Sequence, residues 1–222
     1  MTLKSLIRNW FIPPGFTRLI RKQTKIKDIN EFISPVQLRH LFRYNFAKDQ
    51  ISTGEVLDAA CGSGYGSEIL LYDHYFGIDY ADYNIKYAEE NYYQDDRSFI
   101  EKDIYLLSDL FEGKRFDSII SFETLEHLDN PVLALQVFDK ILKPGGKIVA
   151  SIPLNHPDVV YHKRIYNHKE IYKIMVQTNS MQFYHVEEFL QSHLCVKALT
   201  ELLPDNVKGT WLGVLTKNTP NS

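Results

Sequence analysis

The chain has little cysteine and no long apolar run. Only Cys61 and Cys195 occur among 222 residues, so neither a disulfide framework nor a multi-cysteine zinc site can form. No apolar stretch approaches the roughly 20 residues that a membrane-spanning helix needs. The first residues also lack the uninterrupted apolar core of a signal peptide. We therefore expect a cytoplasmic protein in a reducing compartment.

A strong excess of one charge is lacking as well. The formal net charge is −3, which argues against a surface that coats nucleic acid, so no DNA partner is expected. The chain is 44% hydrophobic and 24% charged, as is typical of a soluble globular protein. Its length suits one domain of ordinary size with a small appendage.

That appendage is basic. Residues 1–27 carry seven lysines and arginines and no acid, interleaved with apolar and aromatic residues. Short helical pieces of this composition can make peripheral contact with an anionic membrane or bind a phosphate-rich partner. The alternative is an arm that packs over the main domain with its charges in water. We divide the chain into a basic helical N-terminal arm, residues 1–33, and a main domain, residues 34–222.

Residues 55–80 form the stretch around which the main domain is organised. Two short apolar runs lead to Asp58 and Asp79, and a glycine-rich turn, residues 59–66, follows the first run. Glycines let the backbone approach a ligand, a helix start offers free N–H groups, and an acid after the second strand can accept ribose hydroxyl hydrogens. This unit favours a nucleotide-like ligand, although glycines also mark ordinary loops. Cys61 in the turn is either a small lining residue or a reactive thiol.

Strands and helices alternate along the main domain. We predict helices at residues 35–48 and 82–91, a helix that begins at Asn130-Pro131, and further strands at residues 98–102, 116–122 and 147–152. Alternation requires crossover connections, so the fold class is α/β with a mostly parallel sheet. Beyond residue 153 we predict helices near residues 169–176 and 191–203, a strand or loop at 181–189, and an antiparallel terminal strand at 210–216.

Five linked segments resemble the class I S-adenosylmethionine-dependent methyltransferases. They read VLDAACGSGYGS, GIDY, FIEKDI, FDSIISFETLEHLDN and LKPGGKIVASIP, all within residues 55–154. The spacing GSGYG differs from the G-x-G-x-x-G of dinucleotide dehydrogenases. The resemblance implies a Rossmann-like class I methyltransferase fold with a central, mostly parallel sheet of about seven strands and helices on both faces. It also implies S-adenosyl-L-methionine as the methyl donor.

The same resemblance assigns the cofactor site. In the family the glycine turn contacts the amino acid end of the cofactor, and the end of the fourth strand faces the transferred methyl. Asp79 matches the acid that binds the ribose hydroxyls, and Asp103 the acid that contacts the adenine. The cofactor-binding residues carried over are Asp58, Ala60, Cys61, Gly62, Gly64, Asp79, Tyr80, Asp103, Ile104 and Ser121. Ala60 replaces the usual glycine, which is tolerable if its φ is negative.

After the fourth strand the chain reads SFETLEH. Family members that methylate base amino groups usually carry Asn/Asp-Pro-Pro-aromatic here, so base N-methylation is disfavoured. Glu123 and Glu126 are three residues apart with His127 adjacent, so one helical turn can bring them together. Two carboxylates and an imidazole suit a divalent metal such as Mg²⁺, with His162 chosen as the fourth ligand.

The E-x-x-E-H pattern is similar to that of the ubiquinone-pathway O-methyltransferases and the small-RNA terminal 2′-O-methyltransferases. In both, the resemblance implies a metal that orients a hydroxyl pair. The alternative is that Glu123 faces the cofactor while His127 packs the loop or acts as a general base. Either way, Glu123 and His127 are the predicted catalytic residues.

We therefore expect an enzyme that O-methylates a hydroxyl on a small molecule or sugar. The loop after the fifth strand resembles segments of methyltransferases from sugar and surface-polysaccharide pathways, so a surface-polysaccharide or secondary-metabolite type is favoured. Tyr161, Tyr166 and His168 of this loop are predicted to line the acceptor pocket. The alternatives are an RNA 2′-O-methyltransferase and a non-catalytic, cofactor-binding scaffold.

Overall fold

The computed structural model describes residues 35–156 and 162–219. The predicted basic arm and its membrane contact lie outside these residues, as does Tyr161. Across the described ranges, no helix is both long enough and apolar enough to cross a membrane.

The main domain alternates strands and helices, as predicted. Helix α1 (Pro35–Gln50) comes first, and its buried residues Leu38, Leu41, Tyr44 and Ala47 recur every three residues, so one face packs on the sheet. The elements that follow are β1 (Glu55–Ala59), β2 (His74–Asp79), α2 (Asp82–Tyr92), β3 (Arg97–Glu101), α3 (Leu107–Leu110), β4 (Phe116–Phe122), α4 (Pro131–Ile141), β5 (Leu142–Leu154), α5 (His168–Gln177), β6 (Tyr184–Ser192), β7 (Cys195–Ala198) and β8 (Gly209–Lys217).

Eight strands form one sheet in the order β3-β2-β1-β4-β5-β8-β6-β7. The first five strands in the chain pair in parallel, whereas β8 pairs antiparallel with both β5 and β6. This confirms the mostly parallel α/β sheet and its antiparallel last strand. Beside the expected strands, β7 adds a short edge strand.

The helix predicted at residues 191–203 is wrong. The first part of this segment lies in β6 and β7, which pair with each other from Phe189 to Ala198. Strand β6 also pairs with β8 over eight residues, Tyr184 to Gln191, and the Phe189 ring packs 5.1 Å from the Phe46 ring of α1. The apolar spacing resembles a helix, but sheet pairing satisfies the same backbone groups and buries the aromatic side chain.

The hydrophobic core lies on both faces of the sheet. One cluster joins α4 and α5 to the strands through residues such as Phe138, Ile171 and Trp211. The other joins α1 and α2 through Tyr44 and Ala88. Because β1 to β5 run in parallel, their carboxyl ends meet at one edge, which is where ligands bind in open α/β sheets.

Candidate active site

Asp58, near the end of β1, is buried inside the wall of the site. Its Oδ2 atom accepts hydrogen bonds from the hydroxyls of Tyr44, at 2.9 Å, and Tyr75, at 2.7 Å. Burial raises the pKa of Asp58 to about 7, although the two hydrogen bonds act in the opposite direction. The carboxyl group therefore links β1 to α1 and β2 through the two tyrosines, and Asp58, a predicted cofactor residue, does not line the cleft described below.

The glycine turn has one face toward protein and one toward open space. Gly62 and Gly64 have φ values of 55° and 80°. A Cβ atom at Gly64 would lie 2.6 Å from the Ala88 methyl and 2.7 Å from the Phe99 ring, whereas one at Gly62 would meet nothing within 4 Å. Glycine at residue 64 is thus required by packing, while the backbone at Gly62 is open to a ligand.

Two other turn residues resolve questions that the sequence left open. Ala60 has a φ of 68°, so the condition of a negative φ, under which its methyl would be tolerated without strain, is not met. A left-handed alanine costs about 1 kcal/mol. Cys61 is buried, and burial raises the pKa of its thiol well above the usual range. Cys61 therefore acts as a small packing residue and not as a reactive thiol.

A cleft of about 240 Å³ opens at the carboxyl edge of the sheet. Its lining residues are Ala60, Asp79, Tyr80, Lys102, Asp103, Ile104, Tyr105, His127, Leu128, Asp129 and Lys163. The structure thus brings together five of the ten predicted cofactor residues and one predicted catalytic residue.

The acids of the cleft are oriented by backbone groups. Asp79 accepts the N–H of Gly62 at one carboxylate oxygen and the N–H of Ala81 at the other, both at 2.9 Å. It therefore ties the glycine turn to the start of α2. Asp103 accepts the N–H of Tyr105 at 2.9 Å.

The end of β4 carries Ser121 and Glu123. Ser121 is fully buried, and its hydroxyl has no hydrogen-bond partner within the described part of the chain. Glu123 has a φ of 48°. Its N–H donates to the carbonyl and the hydroxyl of Ser151, and that hydroxyl donates to Glu123 Oε1 at 3.1 Å. The Glu123 side chain is thus directed toward β5.

Arg43 of α1 is a site residue that sequence reasoning missed. Its Nη1 atom lies 3.4 Å from Glu123 Oε1, and the side chain is buried. Arg43 and Glu123 are 80 residues apart, so no local spacing connects them. The available signal was an arginine one residue before the buried Tyr44 on an otherwise apolar helix face.

The remaining residues of the E-x-x-E-H turn meet His162. Ligand atoms of Glu126, His127 and His162 all lie within 4.8 Å of one another. Glu126 is completely buried, and neither of its carboxylate oxygens has a hydrogen-bond partner among the described residues. Burial, and then Glu123, raise the pKa of Glu126 well above its usual range, while burial and His127 lower the pKa of His162.

This arrangement fits a divalent cation. A buried carboxylate without a partner needs a positive charge, and neutral imidazoles are good metal ligands. Three of the four predicted ligands are together: the Nε2 atoms of His127 and His162 lie 3.8 Å and 3.9 Å from Glu126 Oε1. Glu123, the fourth, is paired with Arg43 and Ser151 instead.

The loop that carries His162 is hydrogen-bonded to the same turn. The N–H groups of Lys163 and Arg164 donate to the carbonyl of Glu126 at 3.0 Å and 3.3 Å. The Arg164 guanidinium donates to the carbonyls of Leu128, at 2.6 Å, and Asp129, at 2.8 Å. These bonds hold residues 162–164 beside the turn.

His168 was predicted to line the acceptor pocket, and this prediction is wrong. It is buried, its Nε2 atom lies 2.9 Å from Glu188 Oε1, and its Nδ1 atom accepts the N–H of Leu203. Both ring nitrogens are used to join α5 to β6 and to the segment before β8. Tyr166 is also buried, in the core beside α5.

A family model described as a methyltransferase domain matches residues 52–208. The chain belongs to this methyltransferase family. The mitochondrial ubiquinone biosynthesis O-methyltransferase of Dictyostelium discoideum is 31% identical over 109 residues, which are 43% of this chain and 34% of that protein. The ubiquinone biosynthesis O-methyltransferase of Coxiella burnetii is 27% identical over 192 residues, covering 84% of this chain and 75% of the relative.

A solved structure shows the same fold as this methyltransferase. An S-adenosylmethionine-dependent methyltransferase from Thermotoga maritima matches with a TM-score of 0.64, covers 92% of this chain and 100% of its own, and is 14% identical. The family model and this shared fold together confirm the resemblance to class I S-adenosylmethionine-dependent methyltransferases.

The cleft fits the cofactor of this methyltransferase family. Carboxylates follow two neighbouring parallel strands, β2 and β3, and ribose hydroxyls and an adenine amino group are hydrogen-bond donors that carboxylates accept. The open space above Gly62 leaves room for a ligand against the backbone.

Proposed function

We propose that this methyltransferase transfers the methyl group of S-adenosylmethionine to a hydroxyl oxygen of a small molecule. The observation that carries the proposal is the buried carboxylate of Glu126 next to two histidines, which has no hydrogen-bond partner among residues 35–156 and 162–219. His127 belongs to this cluster and also borders the cleft, so acceptor and donor sites would adjoin. Relatives named as O-methyltransferases, 27% and 31% identical, support a hydroxyl acceptor.

On the donor side, S-adenosylmethionine supplies a methyl group already activated by the sulfonium charge. Asp79 would accept the ribose hydroxyls, and Asp103 the adenine amino group. Gly62 would leave its backbone open to the amino acid end of the cofactor. These residues bind and orient the donor, so their contribution is to align the methyl group with the attacking oxygen.

On the acceptor side, Glu126, His127 and His162 would hold a divalent cation such as Mg²⁺ or Mn²⁺. A cation held by these three residues would lower the pKa of an acceptor hydroxyl. Glu126 is buried, the two histidines are half-buried, and the hydrogen-bonded loop keeps His162 in position. If the cluster holds no cation, His127 is the residue placed to accept the hydroxyl proton.

We propose a hydroxylated small molecule as the acceptor and assign it to no metabolic pathway. The relatives reported above do not favour the sugar or secondary-metabolite type over other small molecules. Tyr166 is buried in the core, and His168 is buried and paired with Glu188. Two of the polar residues that were expected to line the acceptor pocket are therefore not available to contact a sugar. The membrane contact of residues 1–33 stays a prediction.

Transfer of a radiolabelled methyl group tests the proposal. The full chain is incubated with labelled S-adenosylmethionine and with phenols, catechols, sugars or RNA oligonucleotides, with and without a chelator. We expect label on small-molecule hydroxyls, lost with chelator and restored by Mn²⁺ or Mg²⁺. Glu126→Gln should be inactive, and Glu112→Gln, at an exposed position, should be active. Label found only on RNA ends would establish the RNA alternative, and cofactor binding without any transfer would establish the scaffold.

A further inference from the structure

We propose that Arg43 is a positioning residue that keeps Glu123 out of the cation site. By pairing with Glu123, it limits the protein ligands of the cation to Glu126, His127 and His162. The inference rests on the proposed cation site, and it concerns a residue of α1 that the E-x-x-E-H pattern does not include.

The Arg43 guanidinium is held from two sides. Its Nε atom donates to Gln191 Oε1 at 2.7 Å, and its Nη2 atom donates to Thr210 Oγ1 at 3.1 Å. Gln191 is itself buried, and its amide nitrogen donates to the carbonyls of Arg39 and His193. Strands β6 and β8 thereby fix the plane of the guanidinium and direct Nη1 toward Glu123.

The partners on these two strands are neutral oxygens, so they do not balance the buried charge. Nη1 makes no hydrogen bond within the described ranges, and Glu123 Oε1 is the carboxylate oxygen at 3.4 Å from it. A buried cation without a counter-charge is strongly unfavourable. Arg43 and Glu123 therefore form a neutral pair, and removing Glu123 leaves the Arg43 charge buried without a counter-charge, whereas 21% of the Glu123 side chain is exposed.

The backbone and side-chain contacts of Glu123 also hold it in this pair. Its left-handed backbone and its two N–H contacts with Ser151 direct the residue toward β5. The Ser151 hydroxyl donates to the same oxygen that faces Arg43. Neither carboxylate oxygen of Glu126, three residues later, has a hydrogen-bond partner in the part of the chain that the structure describes. Of the two carboxylates in the turn, Glu126 is therefore the one left to balance a cation.

This division changes the ligand chemistry. One carboxylate and two imidazoles make a nitrogen-rich set, which Mn²⁺ or Zn²⁺ accepts more readily than Mg²⁺ does. If Glu123 were added, the set would contain two carboxylates and would suit Mg²⁺ better. Arg43 thus controls which divalent cation the site prefers.

Calorimetric titration of the purified full chain with Mn²⁺ and with Mg²⁺ tests the inference. In the wild-type background, Glu126→Gln should weaken Mn²⁺ binding by at least about tenfold, while Glu123→Gln should change it by less than about twofold. In an Arg43→Met background, Glu123 is released, so Glu123→Gln should now weaken binding about fivefold or more. Arg43→Met should also strengthen Mg²⁺ binding, and Arg43→Lys, which keeps the charge, should behave as wild type.

Thermal unfolding of each variant reports whether it folds, and if Arg43→Met does not, Arg43→Gln, which also removes the charge but can still hydrogen-bond to Gln191 and Thr210, takes its place in the same comparison. Equal losses in Glu123→Gln and Glu126→Gln in the wild-type background would overturn the role of Arg43 and leave the cation site intact. If Glu123→Gln changes cation affinity in neither background, the inference is also overturned, because something other than Arg43 would then keep Glu123 out of the cation site. A wild-type chain that binds neither cation would overturn the cation site itself, and the inference with it.

Discussion

The Tyr75 hydroxyl donates a 2.7 Å hydrogen bond to Asp58 on the neighbouring strand. Both residues are buried, and Tyr44 of α1 donates to the same carboxylate oxygen. Burial raises the pKa of Asp58 to about 7, and the tyrosine hydroxyls stabilise its ionised form. The charge beneath the glycine turn therefore changes near neutral pH.

Tyr75→Phe should destabilise the protein more at high pH than at low pH. The pKa of Asp58 is higher in the folded than in the unfolded protein. Its contribution to the free energy of unfolding is therefore fully present below about pH 4 and is lost as pH rises through about 7. Removing a donor to the ionised carboxylate should lower the free energy of unfolding by about 1–2 kcal/mol at pH 8 and by less at pH 5. Urea denaturation at the two pH values measures this. Tyr87→Phe, at an exposed position, is the control, and an equal loss at both pH values would contradict the prediction.

Asp79→Asn should weaken cofactor binding without unfolding the protein. The amide oxygen of asparagine can still accept the Ala81 N–H, but the amide nitrogen cannot accept the Gly62 N–H, and the second carboxylate oxygen proposed to accept the ribose hydroxyls is lost. We expect the affinity for S-adenosylmethionine, measured by calorimetry, to fall by at least about tenfold. Asp82→Asn, whose carboxylate pairs with Lys86 on the surface, should bind normally. Unchanged affinity in Asp79→Asn would remove this residue from the site.

The sequence located the donor half of the proposed site better than the acceptor half: five of the ten predicted cofactor residues line the cleft. Asp79, the glycine turn and the strands they follow lie within 26 consecutive residues, so local patterns define them. Arg43 reaches Glu123 through the packing of α1 against β6 and β8, which no local pattern records. Residues 191–203 were misassigned because β7 pairs with the preceding strand β6, and β6 in turn pairs with β8, which follows later in the chain.

Ala60→Gly should stabilise the protein. The left-handed backbone at Ala60 costs a β-carbon-bearing residue about 1 kcal/mol, and glycine removes that cost while losing part of it to unfolded-chain entropy. The expected net gain is about 0.5 kcal/mol in the free energy of unfolding. Ala59→Gly, in the buried strand β1, should instead destabilise the chain. A loss in both variants would show that the Ala60 methyl makes contacts that outweigh its strain.

Glu126→Gln should stabilise the cation-free protein as pH rises. The pKa of Glu126 is raised in the folded protein. Its contribution to the free energy of unfolding is therefore present below the usual carboxyl pKa and is lost as pH rises toward the raised value. In chelator, the variant should exceed wild type by roughly 2 kcal/mol at pH 8 and by little at pH 5. Added Mn²⁺ should raise the melting temperature of wild type and leave the variant unchanged. Equal stabilities at both pH values would contradict the prediction.

Strand β8 lies between β5 and β6, although it is the last of the described strands to be synthesised. It pairs with each of them over eight residues. Until residues 209–217 have left the ribosome, β5 has an unpaired, apolar edge, and β6 has no strand that joins it to the sheet. Such an edge attracts other chains, so we expect the nascent chain to need a chaperone until the sheet closes in this late step.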